Sequence, residues 1–300
     1  MIYHYLYNKE KSMVVYPIID THMHLWNPEH FRMSWTDGDA TLNRPYTVDV
    51  YAEQTANLPI EAMVFVECAV EPSYAFLEAQ WAIACAQEDA RIQGIVAACP
   101  VEFGPRARAY IEALVRLDTR IKGVRRNIQD EKDPEICLEP DFIRGVQLLS
   151  DYSLSFDLCI RHHQLPAVTA LVRHCPDTQF ILDHLGKPNV KEHALDPWRD
   201  QLQELAALPN VACKLSGLVT EADLTSWQAD DLAPYIMHVL ATFGEDRVAF
   251  GGDWPVALLA SSYRRWVETL QMLTATLTEE AKHKLWNENA RRLYRLEDSN

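Results

Sequence analysis

Eight apolar runs of strand length recur along the 300-residue chain, and each is separated from the next by a segment of helical spacing. The runs are "PIIDTHMH", "EAMVFVEC", "IQGIVAACP", "IKGVRRN", "LSFDLCIRHH", "QFILDHLG", "NVACKLSG" and "RVAFGGDW". Between them, Tyr110, Ile111, Leu114 and Leu117 fall at three-four spacing, as do Leu259, Tyr263, Trp266, Leu270 and Leu273. Eight strand–helix units in one undivided chain fit a (β/α)8 barrel of the TIM type, an α/β fold that typically takes about 250 residues. A doubly wound sheet would normally carry a glycine-rich phosphate turn after its first strand, and "THMHLWNP" is no such turn. Residues 17–300 therefore read as one barrel domain. Its closing "EEAKHKLWNENARRLYRL" is an extra C-terminal helix whose Leu285, Ala290 and Leu293 are packing residues. Residues 1–16 read as a short extension, with a natural beginning near Met13.

Composition narrows the partners. With 48 % apolar residues and eight Trp the chain can bury a large core. A net charge of −15 opposes a nucleic-acid surface, because phosphate contacts need a basic face. No run approaches a membrane span, and "MIYHYLYNKEKSM" lacks the apolar stretch of a signal peptide. The seven cysteines are scattered, odd in number and without a CxxC pair, which points to reduced thiols in a cytoplasmic protein. Homo-oligomerisation is left open.

Side-chain parity locates a site. In a barrel, alternate residues of each strand face the lumen, and those at the C-terminal ends line the active site. On the first strand Asp20, His22 and His24 share one parity, opposite Ile19. On the second, Glu67 shares parity with Met63 and Phe65, which sends Val64 and Val66 towards the helices. Arg125 opposes Val124, and Asp157, Cys159, Arg161 and His163 oppose Phe156, Leu158 and Ile160. His184 has Leu182 below it, Lys214 and Ser216 share a face, and Asp253 aligns with Ala249 and Gly251. The third strand is silent. Burying so many ionisable groups unpaired costs several kcal/mol, so their convergence marks a functional mouth.

The chemistry follows from the residue types. His22 and His24, two apart on a strand, can place two imidazole nitrogens on one cation, and His184 and Asp253 complete a set suited to zinc or a similar divalent ion. Such an ion lowers the pKa of bound water to about 7, and Asp253 is placed to take a proton and pass it on. The plainer alternatives are hydrogen-bonded core histidines and a turn or cap aspartate beside Trp254. Glu67 is a further ligand, a partner for a histidine, or the partner of Arg125 in a structural ion pair. Arg125, Arg126, Arg161 and Lys214 are candidates for substrate oxygens, with rim salt bridges the alternative for Arg126 and Arg161. His163 is favoured over His162 by parity. Trp26, Trp35 and Trp254 either wall a pocket for a ring-shaped ligand or pack the core.

Taken in order, "DTHMHLW", "KGVRRNIQD", "FDLCIRHHQLP", "ILDHLGKP", "CKLSGLVTEA", "FGGDWPV" and "NARRLYRL" resemble one branch of the amidohydrolase superfamily, over about Ile18 to Leu296. That branch holds sugar lactonases for L-fucono- and L-rhamnonolactone, together with 2-pyrone-4,6-dicarboxylate lactonase. The resemblance implies a distorted (β/α)8 barrel and a lactone as small-molecule partner. It assigns catalytic and metal roles to His22, His24, His184 and Asp253, and pocket roles to Arg125 and His163. Departures are Gly252, where relatives often carry serine, Cys68 after Glu67, and the doubled histidine at 162–163. The fourth strand ends in arginines rather than a metal-bridging lysine, since Lys122 lies lower with the opposite parity, so one metal ion or none is expected.

The resulting expectation is a lactonase in which water, with Asp253 as base, attacks the lactone carbonyl of an aldonolactone. Lys214, His163, Arg125 and the tryptophans would grip the substrate, and the histidines with any bound ion would stabilise the oxyanion. A zinc-dependent decarboxylase of aromatic or dicarboxylic acids, a dicarboxylate lactonase and a non-catalytic sugar-acid binder are the competing readings.

Overall fold

The computed structural model describes residues 16–297. Eight parallel strands follow one another in order around a barrel: β1 (Ile18–Met23), β2 (Ile60–Val66), β3 (Ile92–Ala98), β4 (Ile121–Arg125), β5 (Ser155–Leu158), β6 (Gln179–Leu182), β7 (Val211–Leu215) and β8 (Val248–Phe250). Seven of the eight runs read from the sequence contain a whole strand, and "EAMVFVEC" holds all of β2 but Ile60. The connecting helices are α1 (Val48–Gln54), α2 (Ala75–Glu88), α3 (Arg108–Leu117), α4 (Pro140–Gln147), α5 (Leu165–His174), α6 (Trp198–Ala206), α7 (Ala229–Phe243) and α8 (Tyr263–Leu273). The protein is a (β/α)8 barrel. No helix among the described residues is long and apolar enough to cross a membrane. Of the segment read as an extension, 1–15 lie outside the described residues, while Tyr16 is buried and stacks edge-on against His283.

Two apolar layers hold the barrel. The outer one fills the space between sheet and helices. The inner one joins Ile19, Ala62, Val64, Val66, Val96, Ile181, Ala212 and Ala249 to Ala290, Leu293, Tyr294 and Leu296. The second set belongs to the end of the chain, where α9 (Glu279–His283) leads through one wider π turn into α10 (Asn289–Tyr294). This terminal segment is more than an added helix, because it stoppers the end of the barrel opposite the candidate site. Leu296 lies against Gly94 of β3, and the Arg295 guanidinium donates to the Lys122 carbonyl near the start of β4.

The inner layer corrects two parity readings. Val64 and Val66 face the lumen, while Met63 and Phe65 belong to the outer layer, the reverse of the expectation for β2. On β1 the pairing with β2 slips between Asp20 and Met23. A one-residue slip exchanges the faces of a strand. Asp20 consequently points away from the lumen and accepts hydrogen bonds from the amides of His22 (3.0 Å) and Gly252 (2.7 Å) and the hydroxyls of Tyr51 and Tyr263 (both 2.9 Å). It fastens β1 to the segment following β8. Gly252 has no room for a serine, since a Cβ there would lie 2.4 Å from the Tyr263 ring and 2.6 Å from Asp20 Oδ2.

Candidate active site

The barrel closes at its mouth through backbone. The amide of Asp253 donates to the His22 carbonyl and that of His24 to the Trp254 carbonyl, both at 2.7 Å. These bonds fix the two histidines of β1 against the aspartate that follows β8. Asp253 has φ +52°, and the left-handed turn swings its carboxylate across the opening. His184 reaches the same place by a similar device. Alternation continued from Leu182 would send it outward, but His184 and Leu185 are both left-handed (φ 53° and 56°), which turns the imidazole inward. Gly217, at φ +60°, closes the ring, because a Cβ would lie 2.4 Å from His184 Nδ1 and 2.8 Å from Asp253 Oδ2.

Together these turns assemble an upper tier of His22, His24, His184 and Asp253. Asp253 Oδ1 lies 3.7 Å from His22 Nε2, 3.7 Å from His24 Nε2 and 3.8 Å from His184 Nε2, and the first two nitrogens are 3.2 Å apart. Two ligands of a tetrahedral zinc ion bound at about 2.0–2.1 Å lie about 3.3 Å apart, so the donor set and spacing fit one divalent ion. His24 Nδ1 is 2.7 Å from the Val66 carbonyl, and His184 Nδ1 is 2.9 Å from Ser216 Oγ. Such outer bonds orient metal-binding or catalytic imidazoles. Burial keeps both His22 and His184 neutral, pulling His184 down to about 4. Burial would push the Asp253 carboxyl up, but His184, His24 and His22 outweigh it and hold the group well below the usual range.

Beneath lies a second, fully buried tier of charge. Lys214 Nζ donates to Asp157 Oδ2 at 2.6 Å, lies 2.9 Å from Asp183 Oδ1, and faces His22 Nδ1 at 3.2 Å. Arg125 donates from Nε to Glu67 Oε1 (2.5 Å), from Nη2 to the Glu67 carbonyl (2.6 Å) and from Nη1 to Asp183 Oδ2 (3.1 Å). The Tyr294 hydroxyl comes up from the stopper to donate to Asp157 Oδ2 at 2.7 Å. Burial would raise the Asp183 carboxyl, yet Lys214, His22 and Arg125 hold it far below the ordinary value.

Several proposed contacts are therefore reassigned. Lys214 has no exposed surface and Arg125 only 4 %, so neither is free to grip a substrate. Glu67 resolves as the ion-pair partner of Arg125 rather than a metal ligand, and its Oε2 also accepts the Ala69 amide at 2.6 Å. Trp26 and Trp254 are core residues. The Trp26 indole donates to the Leu42 and Arg44 carbonyls, and Trp254 is wedged edge-on between Tyr46 and Tyr51. Trp35, at 43 % exposed, and His163 remain open to solvent. Arg126 pairs with Glu102 and Glu131, and Arg161 with Asp130, as the rim alternative held.

Sequence reading missed Asp183, although its parity with lumen-facing Ile181 was available. It also missed Tyr294, for which no local signal exists, and Glu78. From α2, Glu78 accepts the Cys68 amide at 2.8 Å; burial, with Glu67 close by, pushes its carboxyl up to about 8. Folded Glu78 thus keeps a proton that the unfolded chain releases between about pH 4.5 and 8. Stability should fall as pH rises through that window, by up to about 1.4 kcal/mol per unit. Glu78→Gln keeps an oxygen for Cys68 and removes the titration. Its melting temperature relative to wild type should climb from pH 5 to pH 8 in calorimetry; a constant difference would refute the assignment.

The sequence profile of the amidohydrolase family matches residues 19–296. The chain is 34 % identical over 300 residues to an L-fucono-1,5-lactonase of Burkholderia multivorans, covering 93 % of this chain and 96 % of that one. It is 22 % identical to an L-rhamnono-gamma-lactonase of Scheffersomyces stipitis, covering 95 % and 100 %. A crystal structure of a Burkholderia multivorans amidohydrolase with bound zinc superposes with a TM-score of 0.84 at 32 % identity, covering 93 % of this chain and 99 % of that one. The fold, the mouth geometry and a match spanning nearly every described residue agree: the chain belongs to the amidohydrolase family.

Proposed function

We propose that the protein hydrolyses a sugar-acid lactone, of the L-fucono- or L-rhamnono-type, to the open-chain aldonate. The observation that carries this reading is one carboxylate oxygen, Asp253 Oδ1, nearly equidistant from three imidazole nitrogens at the mouth. The lactonase relatives supply the substrate class. Asp253 stays ionised across the working pH range. So acidic a carboxylate is a weak base, so the proton leaves water as the oxygen bonds to the carbonyl carbon. The His22 and His184 imidazoles face the developing oxyanion. The bond to the ring oxygen then breaks, and Asp253 returns the proton to that oxygen. A divalent ion held by His22, His24, His184 and Asp253 would add carbonyl polarisation and acidify the water.

The arginines favour a neutral, hydroxyl-rich substrate over a dicarboxylate, because Arg125, Arg126 and Arg161 already carry carboxylate partners. The exposure of Trp35 and His163 supports them as substrate contacts, and the half-buried Glu221, in the field of Lys187, Arg161 and Asp253, is suited to sugar hydroxyls. An indicator assay of acid release from a panel of aldonolactones, with and without zinc or a chelator, tests the proposal. L-Fucono- or L-rhamnonolactone should be opened. Release of CO2 from benzoate-like acids with every lactone left intact would replace it with the decarboxylase reading.

A further inference from the structure

We propose that Lys187 and Glu221 form a clamp for two adjacent hydroxyls of the substrate ring, which makes the site selective for polyhydroxylated lactones over unsubstituted ones. The clamp presupposes the lactonase reading and accounts for its preference in ring substituents. Both residues sit on loops that build the mouth. Lys187 follows His184 by three residues, its backbone amide donates to the His184 carbonyl at 2.8 Å, and its own carbonyl lies 3.1 Å from His162 Nδ1. Glu221 follows Gly217 by four residues, and Gly217 is the position where a Cβ would strike His184 and Asp253. The Glu221 carbonyl accepts the Lys191 amide at 2.9 Å, which ties the two loops together.

The state of their charges sets these two residues apart. Arg125, Arg126, Arg161 and Lys214, the other cations around the site, each have a carboxylate within 4.0 Å. Lys187 has none among the described residues. Its ammonium donates to the Gln129 side-chain oxygen, a neutral acceptor that Cys159 Sγ also faces at 3.5 Å. An ammonium carries three N–H donors, so two remain for a ligand. Glu221 is half-buried, and among the described residues nothing donates to its carboxylate. Burial pushes that carboxyl up while Lys187 and Arg161 draw it down, although neither cation comes within 4.0 Å of it. Donors on one side of a gap and acceptors on the other suit a group that does both. One ring hydroxyl can accept from Lys187 while its neighbour donates to Glu221, each bond assisted by charge. A carboxylate on the ring would satisfy Lys187 but meet like charge at Glu221. A ring without hydroxyls would displace water from both groups and leave them unpaired.

Steady-state kinetics with L-fucono-1,5-lactone and with δ-valerolactone, a lactone ring without hydroxyls, test the clamp in wild type, Glu221→Gln and Lys187→Met. Each variant should lose about 10–100-fold more kcat/KM on the fuconolactone than on the valerolactone, with the difference in KM rather than kcat. A defect in folding or in the chemical step would lower both lactones together, and that result would overturn the proposal. So would variants that lose nothing on either. An NMR titration with L-fucose, which presents ring hydroxyls and has no lactone carbonyl to open, makes the same test without turnover. Wild type should bind it, and Glu221→Gln should bind it about 10-fold more weakly. Equal affinities, or no binding to wild type, would remove the clamp. Should wild type open neither lactone, the lactonase reading fails while the fucose titration still decides the clamp.

Discussion

Asp253→Asn is expected to lower kcat by roughly 10²–10⁴-fold, the range that a positioned general base contributes. The amide is close in size to the carboxylate and the left-handed backbone at 253 tolerates asparagine, so the mouth should keep its shape. What is lost is the capacity to accept a proton from water while three imidazole nitrogens stand 3.7 to 3.8 Å away. KM should move far less than kcat. The circular dichroism spectrum and melting temperature should stay near those of wild type. Lactone opening at a near-normal rate in this variant would take Asp253 out of the mechanism.

Lys214→Met is expected to act on stability before it acts on chemistry. Removing the ammonium leaves Asp157 and Asp183 buried, with Asp157 held only by Tyr294 and the Ser155 hydroxyl. Breaking one side of a buried ion pair costs about 3–5 kcal/mol, because the remaining charge is stranded away from water. A larger domain loses about 2–4 °C per kcal/mol, so calorimetry should record a fall of roughly 6–20 °C. Adding Asp157→Asn to the variant should recover part of the loss, since one stranded carboxylate is then neutralised. A melting temperature unchanged in Lys214→Met would show that the lower tier contributes little to folding.

The division between what the residues announce and what they conceal follows from where alternation applies. Within regular strands, parity placed Arg125, Asp157 and Lys214 on the lumen side correctly, because a pleated strand has a strict period of two. It failed on β1, where the slip after Asp20 separates that residue from His22 and His24. The β2 assignment was inverted, since the heavier Met63 and Phe65 are packed against the helices while the slimmer Val64 and Val66 line the barrel. Beyond the strand ends the rule has no force. His184 and Asp253 enter the site through left-handed residues, a conformation that neither apolar period nor composition reveals.

Charge posed a different difficulty. Lys214 and Arg125 look like substrate-binding groups in the sequence because cations near a mouth usually are. Only the neighbours Glu67, Asp157 and Asp183, brought from three other segments, show that their charges are already satisfied. Exposure decided the tryptophans in the same way, leaving Trp35 open and placing Trp26 and Trp254 in the interior.

Tyr294 gives the order of assembly a constraint. Its hydroxyl completes the hydrogen bonding of Asp157, and its ring lies 5.4 Å from the Lys214 ammonium, near the very end of the described chain. During synthesis, all eight strands leave the ribosome before this residue does. Until residues 289–296 pack underneath, the charges below His22 lack the Tyr294 hydroxyl and the apolar cover that the terminal segment supplies.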